Sequence, residues 1–236
     1  MSVWGKLSGA GLGALIGGPL GALVGGAAGH ALVDRLLFGT APPDVVFATG
    51  LVALCAKMAK ADGVVTQNEV LAFRRIIDVP PAELRRVERL FDLARHTTAG
   101  YEAYARQLRD RFRDDQPLLE SVVDGLFEIA KADHAIHEAE TAYLEHVTLA
   151  LGLDHADYRR IEARHVARPD DPYVVLGAER GMSNAELRTH YRRLVSESHP
   201  DRLIAAGLPA EAVSIATDRT AAINAAWERI RRERAA

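Results

Sequence analysis

The sequence has a single cysteine and almost no net charge, and these two absences exclude several classes of protein. Cys55 has no second cysteine to pair with, which excludes an internal disulfide and a cysteine-rich zinc centre. Lysine and arginine total 29 against 32 aspartate and glutamate residues, giving a formal net charge of -3. A balance this close to neutral gives no indication of nucleic-acid binding, so no nucleic-acid partner is expected.

The chain also lacks the alternating polar and apolar pattern of β-strands. Between Val45 and His165 the apolar residues instead recur with helical spacing, with breaks at prolines and glycines. The sequence therefore predicts an all-α protein with a helical bundle in the middle. We assign residues 1–39 to an amino-terminal segment, 44–167 to the bundle and 170–236 to a last module, joined by a short proline-rich connector that lets two linked bodies move.

Lysine, arginine, aspartate and glutamate are all absent from Leu7 to Val33. A helix of about 27 residues would be about 40 Å long, which is enough to cross a hydrocarbon layer of about 30 Å. The segment therefore predicts a transmembrane helix. A disordered segment, a cleaved signal peptide and a hairpin bent at Pro19 remain alternatives.

Glycine recurs at every fourth position of this segment, forming overlapping small-xxx-small motifs that let a second helix approach closely. A homodimer through the resulting ridge is one expectation, and a larger assembly is another. The glycines assigned to this packing ridge are Gly9, Gly13, Gly17, Gly21, Gly25 and Gly29.

A basic amphipathic helix precedes the tripeptide His199-Pro200-Asp201 near the end of the chain. Ser183 and Glu186 have the spacing of a capping box, so the helix should begin near Asn184. Its apolar stripe should pack against a second, antiparallel helix that Pro209 opens, through a face that includes Ala212, Ala216 and Ile223. Pro200 disfavours helical geometry just before it, which predicts an exposed loop for the tripeptide.

These residues, with DPYVVLG before them and INAAW after them, resemble the J domain of DnaJ-type co-chaperones. The segments MSVWGK and GALIGGPLGALVGGAAGH resemble the amino-terminal span of the membrane-anchored J proteins of the DjlA type. The resemblance implies a co-chaperone that is not itself an enzyme, with a single span in the inner membrane and soluble domains in the cytoplasm. It also implies that the protein stimulates ATP hydrolysis by a DnaK-type heat-shock chaperone.

The resemblance, together with the charges, predicts which residues bind the partner. Asp201 would meet an arginine of the chaperone, Pro200 would stiffen the turn and His199 would orient Asp201. We call the tripeptide His199-Pro200-Asp201 the signature. A cationic helix face would steer an acidic partner towards it. We assign this face to Arg188, Arg192 and Arg193.

A weak repeat in the middle region suggests a different function. The sequence KAD recurs with a glutamate seven residues after each aspartate, and four carboxylates from two such turns could hold a hard divalent cation. The candidate ligands are Asp62, Glu69, Asp133 and Glu140. Helix capping by the glutamates explains the same pattern without any metal.

The region also resembles the TerB-type helical domain, a family in which paired acidic turns have been linked to metal. The alternative function is therefore a metal-responsive or stress-sensing membrane protein. No cofactor is required by the co-chaperone function, and a divalent metal in the TerB-like domain is the one candidate. The sequence indicates neither the client proteins nor the physiological stimulus.

Overall fold

The computed structural model describes residues 43–58, 72–73, 76, 100–133, 136–166 and 171–235. These residues form helices and connecting turns, with no strand among them, which confirms the predicted all-α class. The bundle helices are α1 (Pro43–Met58), α2 (Tyr101–Phe112), α3 (Gln116–Ala130), α4 (Glu138–Ala150) and α5 (His155–His165). The last module has α6 (Pro172–Leu176), α7 (Asn184–Glu197), α8 (Pro200–Ala205) and α9 (Ala210–Ala235).

Helix α1 lies at the centre of the bundle because it is apolar on nearly every side. A helix with no polar face is stable only when other elements surround it. Phe47, Leu51 and Leu54 are fully buried, and α2, α3 and α4 pack around them. Gly50 lets α2 come close, since a Cβ there would lie 2.7 Å from the side chain of Leu108.

Helices α6, α7 and the second half of α9 form the predicted antiparallel hairpin. The apolar stripe of α7 buries Leu187 and Leu194 against α9, as expected. Tyr191 of α7 stacks on Trp227 of α9, with ring centroids 4.8 Å apart. These contacts give the hairpin an apolar core of its own.

The first half of α9 packs against the bundle and not against α7, which differs from the sequence-based prediction. Ala212 and Ala216 were expected to cover the stripe of α7, but with Ile215 they belong to the core cluster of the bundle. A side chain at Gly125 of α3 would lie 2.9 Å from the Cδ1 atom of Ile215, so this glycine makes room for α9. The expectation of two bodies joined only by a connector was wrong, because one apolar core runs from the bundle into α9.

Within the described ranges, no helix combines the length and the apolarity needed to cross a membrane. The charge-free segment and its glycine ridge lie outside the described residues. The predictions of a transmembrane helix, of a hairpin at Pro19 and of a homodimer through the ridge therefore stay predictions.

Candidate functional site

The helix before the signature begins as its capping box predicts. The backbone N–H of Ser183 donates to the Glu186 carboxylate at 2.7 Å, and the N–H of Glu186 donates to the Ser183 hydroxyl at 3.3 Å. At the other end of α7, the N–H of Ser198 donates to the carbonyl of Leu194. Helix α7 therefore ends immediately before the signature.

The signature is exposed, as predicted, but it is the start of a helix and not a loop. His199 is the N-cap of α8, and its Nδ1 atom accepts the N–H of Asp201 at 3.2 Å. Pro200 occupies the first helical position, where its missing N–H costs nothing. The side chain of Asp201 is 84% exposed and that of His199 is 51% exposed. The prediction of a loop failed because proline disfavours helix before itself yet is well suited to begin one.

The residues on either side of the signature are fixed by contacts. Buried Ser198 accepts a hydrogen bond at its carbonyl from the Thr220 hydroxyl of α9, at 3.1 Å. Arg202 donates to the carbonyl of Glu197 at 3.0 Å and forms an ion pair of 2.9 Å with Asp115, at the start of α3. An exposed tripeptide is thus held between two anchored residues.

The three arginines of α7 do not form one cationic face. Arg193 forms an ion pair of 2.9 Å with Glu197 and lines a cleft of about 620 Å³ between the last module and the bundle. Arg188 and Arg192 are exposed, and Arg188 lines a different cavity beside the end of α9. Because successive helical residues are about 100° apart, Arg192 and Arg193 point in different directions. Arg188 and Arg192 therefore lie on one side of α7 and Arg193 on another, and the role of all three in binding a partner stays a prediction.

A buried ionic network joins the last module to the bundle. Its carboxylates, Glu120 and Asp124, lie one turn apart on α3. Arg160 of α5 binds Glu120 with two hydrogen bonds of 2.8 and 2.9 Å, and Arg219 of α9 binds the same carboxylate. Arg164 of α5 makes a bidentate contact with Asp124 at 2.9 Å. We call these five residues the interface network.

The cations of the interface network hold both buried carboxylates in the charged form. Burial raises the pKa of Glu120, but Arg219 and Arg160 outweigh burial and lower it below its ordinary value. Burial likewise raises the pKa of Asp124, and Arg164 together with His165 reverses that effect, so the net shift is strongly downward. His165 contributes a contact of 2.8 Å from Nε2 to Asp124. The network thus resembles a paired ionic core and not a proton-transfer site.

The lowered pKa values predict that acid weakens the fold through this network. A carboxylate whose pKa is lowered by folding contributes stability above its unfolded-state pKa, and this contribution is lost as the pH falls through the folded-state pKa. Stability should therefore be level near neutral pH and fall steadily below about pH 4. Thermal unfolding followed by circular dichroism from pH 7 to pH 2 measures this. With Glu120→Gln and Asp124→Asn together, the acid-dependent part of the curve should shrink, and an unchanged curve would contradict the assignment.

Sequence reasoning missed the interface network, although a signal was present. The residues Glu120, Asp124 and Glu128 recur every fourth position within an otherwise apolar helix. Carboxylates on a helix that is mostly buried must be paired to remain charged, so the pattern could have indicated a cationic partner element. It could not have indicated that α5 and α9 supply the cations, because that depends on tertiary packing.

The structure places only one of the four predicted metal ligands in a described environment. Glu140 is buried, and its carboxylate accepts the backbone N–H of His137 at 2.8 Å, as a helix cap does. The described part of the chain does not include Asp62, Glu69 or the side chain of Asp133. Among the residues that the structure does describe, no cluster of metal-binding side chains occurs. The divalent metal site stays a prediction.

Comparisons with known proteins agree with this architecture. Residues 48–163 match the family model for the tellurite resistance protein TerB, and residues 1–53 match that for the co-chaperone DjlA transmembrane domain. The co-chaperone protein DjlA of Shewanella oneidensis is 28% identical over 99% of each chain. That of Coxiella burnetii is 28% identical over 75% of this chain and 73% of its own. That of Vibrio cholerae is 42% identical over 64 residues, or 27% of this chain and 22% of its own. No solved structure matches.

An all-α chain with a TerB-like bundle and a helical hairpin bearing His-Pro-Asp has the features of a DnaJ-like co-chaperone, and the relatives that it matches are named as co-chaperones. Its amino-terminal match, and a DjlA relative that aligns with 99% of the chain, narrow this class further. Together, the two family models and the relatives support a DjlA-type co-chaperone with a TerB-like middle domain. The co-chaperone relatives indicate a regulator within a chaperone system, and the match of residues 1–53 indicates a membrane-anchored protein.

Proposed function

We propose that this co-chaperone stimulates ATP hydrolysis by a DnaK-type heat-shock chaperone through His199, Pro200 and Asp201. One observation carries the proposal: the Asp201 carboxylate is 84% exposed while residues on both sides of it are anchored, Ser198 through its backbone carbonyl and Arg202 through its side chain. An exposed carboxylate on a fixed backbone can meet an arginine of a partner with little loss of conformational freedom. Hydrolysis takes place in the partner, and this chain acts as its regulator.

The first-turn geometry gives each residue of the signature a distinct role. Pro200 fixes its own φ angle and begins α8, so the direction of the turn is set before a partner arrives. The His199 ring accepts the N–H of Asp201, which ties the carboxylate-bearing residue to the cap. Asp201 then offers both carboxylate oxygens to a guanidinium group, the geometry that favours a bidentate contact.

The full-length protein in lipid nanodiscs provides the test of this function. A purified DnaK-type chaperone loaded with ATP is mixed with it, and a single turnover of hydrolysis is followed. We expect the rate to rise with the concentration of the co-chaperone and to saturate. A rate that stays at the basal level at every concentration would refute the proposal.

The amino-terminal match supports a membrane location for this activity. We propose that residues 7–33 cross the inner membrane once, that the bundle and the last module lie in the cytoplasm, and that two chains associate through the glycine ridge. In this arrangement the signature is available to a cytoplasmic chaperone near the membrane surface. The glycine ridge requires only that two spans approach closely, and it adds no contact to the signature.

The exposed arginines of α7 should increase the rate of association with an acidic surface of the chaperone. Replacing Arg188 and Arg192 by glutamine should slow association several-fold at low salt and flatten its salt dependence, because both charges face solvent. Stopped-flow measurements at several ionic strengths provide the check. The control is Arg106→Gln with Arg159→Gln, which removes two exposed charges from the bundle. An equal effect of the control pair would show that the net charge of the protein, and not the position of Arg188 and Arg192, sets the association rate.

A further inference from the structure

The signature is positioned from the bundle as well as from its own hairpin. Leu203, two residues after Asp201, is buried in the core cluster of the bundle and not in that of the hairpin. Arg202 forms its ion pair of 2.9 Å with Asp115, which is the N-cap of α3. The carboxyl-terminal side of the signature is therefore attached directly to the bundle.

The amino-terminal side of the signature is attached to the bundle through α9. Arg219 donates to the Glu120 carboxylate and, at 2.6 Å, to the carbonyl of Pro117 at the start of α3. The next residue, Thr220, donates to the carbonyl of Ser198 immediately before the signature. Arg219 is 97% buried in the side chain, so its position relative to α3 is fixed by packing as well as by charge.

The packing of the last module on the bundle leaves the proposed chaperone-binding residues exposed. Asp201 and His199 are exposed, and Arg188 and Arg192 are exposed and do not line the cleft to the bundle. A contact that blocked the chaperone would have to cover at least one of these groups. The contacts between the last module and the bundle can therefore orient the signature without covering it.

We propose that Arg219 and Asp115 are positioning residues, through which the TerB-like bundle sets the orientation of the signature. This inference rests on the proposed stimulation of a DnaK-type chaperone and assigns part of it to the middle domain. Arg219 acts through Thr220 and Ser198, and Asp115 acts through Arg202. The partner contact itself is left to the signature and to Arg188 and Arg192.

The main test replaces Arg219 by methionine, which keeps an unbranched apolar stem and removes the charged guanidinium group. Glu120 still has Arg160 as a partner, so the bundle keeps a paired carboxylate. We expect the maximal stimulation to fall roughly tenfold, since a misplaced reacting group can lose more than that. The concentration for half-maximal stimulation should change little, because Arg188 and Arg192 still steer binding. Full-length protein in nanodiscs is used throughout.

Hydrogen exchange gives a second readout that does not depend on activity. Amides from Ser198 to Leu208 should exchange faster in Arg219→Met, because their attachment to the bundle is weakened. Arg219→Lys should restore part of the maximal stimulation, since an ammonium group can still pair with Glu120. The control is Arg231→Met, which removes an exposed arginine from the same helix and should change neither readout.

Asp115→Asn tests the other attachment with little risk to the fold. Asparagine is as good an N-cap as aspartate, so the change removes the charge opposite Arg202 and keeps the start of α3. We expect a several-fold loss of maximal stimulation and faster exchange around Leu203. Asp110→Asn, an exposed change of the same kind on α2, is its control.

The outcomes separate this inference from the proposed function. If the unaltered protein fails to stimulate the chaperone, the proposed function fails, and the exchange measurements still decide whether Arg219 fixes the signature. Unchanged exchange in both variants would overturn the positioning role. Unchanged maximal stimulation despite faster exchange would also overturn the positioning role. A rise in stimulation would overturn it too, because it would show that the contacts of the last module with the bundle inhibit stimulation.

Discussion

Asp201→Asn is expected to abolish stimulation of the partner ATPase while the fold stays as stable as before. Asparagine has the same shape, and the hydrogen bond from the backbone of residue 201 to His199 does not involve the side chain. Losing one member of a close charge pair at an interface costs about 2 to 5 kcal/mol, which corresponds to at least about thirtyfold in coupling. Single-turnover hydrolysis with the full-length protein measures the loss.

The stability of the Asp201 variant is the necessary companion measurement. An exposed acidic residue in the first turn of a helix contributes about 0.3 to 1 kcal/mol through the helix dipole, so the thermal midpoint should move little. Asp110→Asn, which changes an exposed aspartate on α2, should keep full stimulation. Full stimulation by the Asp201 variant itself would mean that the signature has been assigned the wrong function.

Asp124→Ala is expected to destabilise the protein by about 3 to 5 kcal/mol, because it leaves Arg164 buried without its main partner. The side chains of Asp124 and Arg164 are 3% and 2% exposed, so water cannot easily replace the lost contact. His165, stacked on Phe127 at 5.1 Å, loses its contact with the same carboxylate. Urea unfolding in detergent micelles, followed by circular dichroism, measures the change.

The position of this residue gives the experiment a second, structural outcome. The interface network touches α3, α5 and α9 at once, so the bundle and the last module should lose stability together in a single transition. Asp110→Ala removes an exposed aspartate whose partner is its own neighbour in sequence, and it should cost less than about 1 kcal/mol. A loss no greater than that for Asp124→Ala would show that the buried network contributes little.

The sequence was sufficient for features that depend on neighbouring residues. The Ser183 capping box, the stripe of Leu187 and Leu194 and the exposure of Asp201 follow from local spacing, and the structure confirms all three. The ion pair and the cleft of Arg193 could not be predicted in this way, because the side to which a charge points depends on what lies beside the helix. Its cleft is formed by α3 and α5, which no local pattern places there.

Long-range packing accounts for the other errors. Ala216 has the right spacing to cover α7, but the bundle offers it a larger apolar surface. The repeat of Asp62 and Asp133 lies outside the described side chains, so neither the metal site nor its alternative gains support there. Glu140 shows that an acidic residue with metal-ligand spacing can instead be a helix cap.

Because Leu203, Ala212 and Ile215 belong to the same apolar core as α1 and α3, a cut in the connector near residue 170 would release a hairpin that keeps its own core but exposes these three side chains. A fragment that begins there would expose the apolar side chains of α8 and α9 that the bundle normally covers, and it would tend to aggregate or to rearrange around the signature. Hybrid proteins that exchange hairpins between relatives should therefore carry α3 and α5 along with the hairpin.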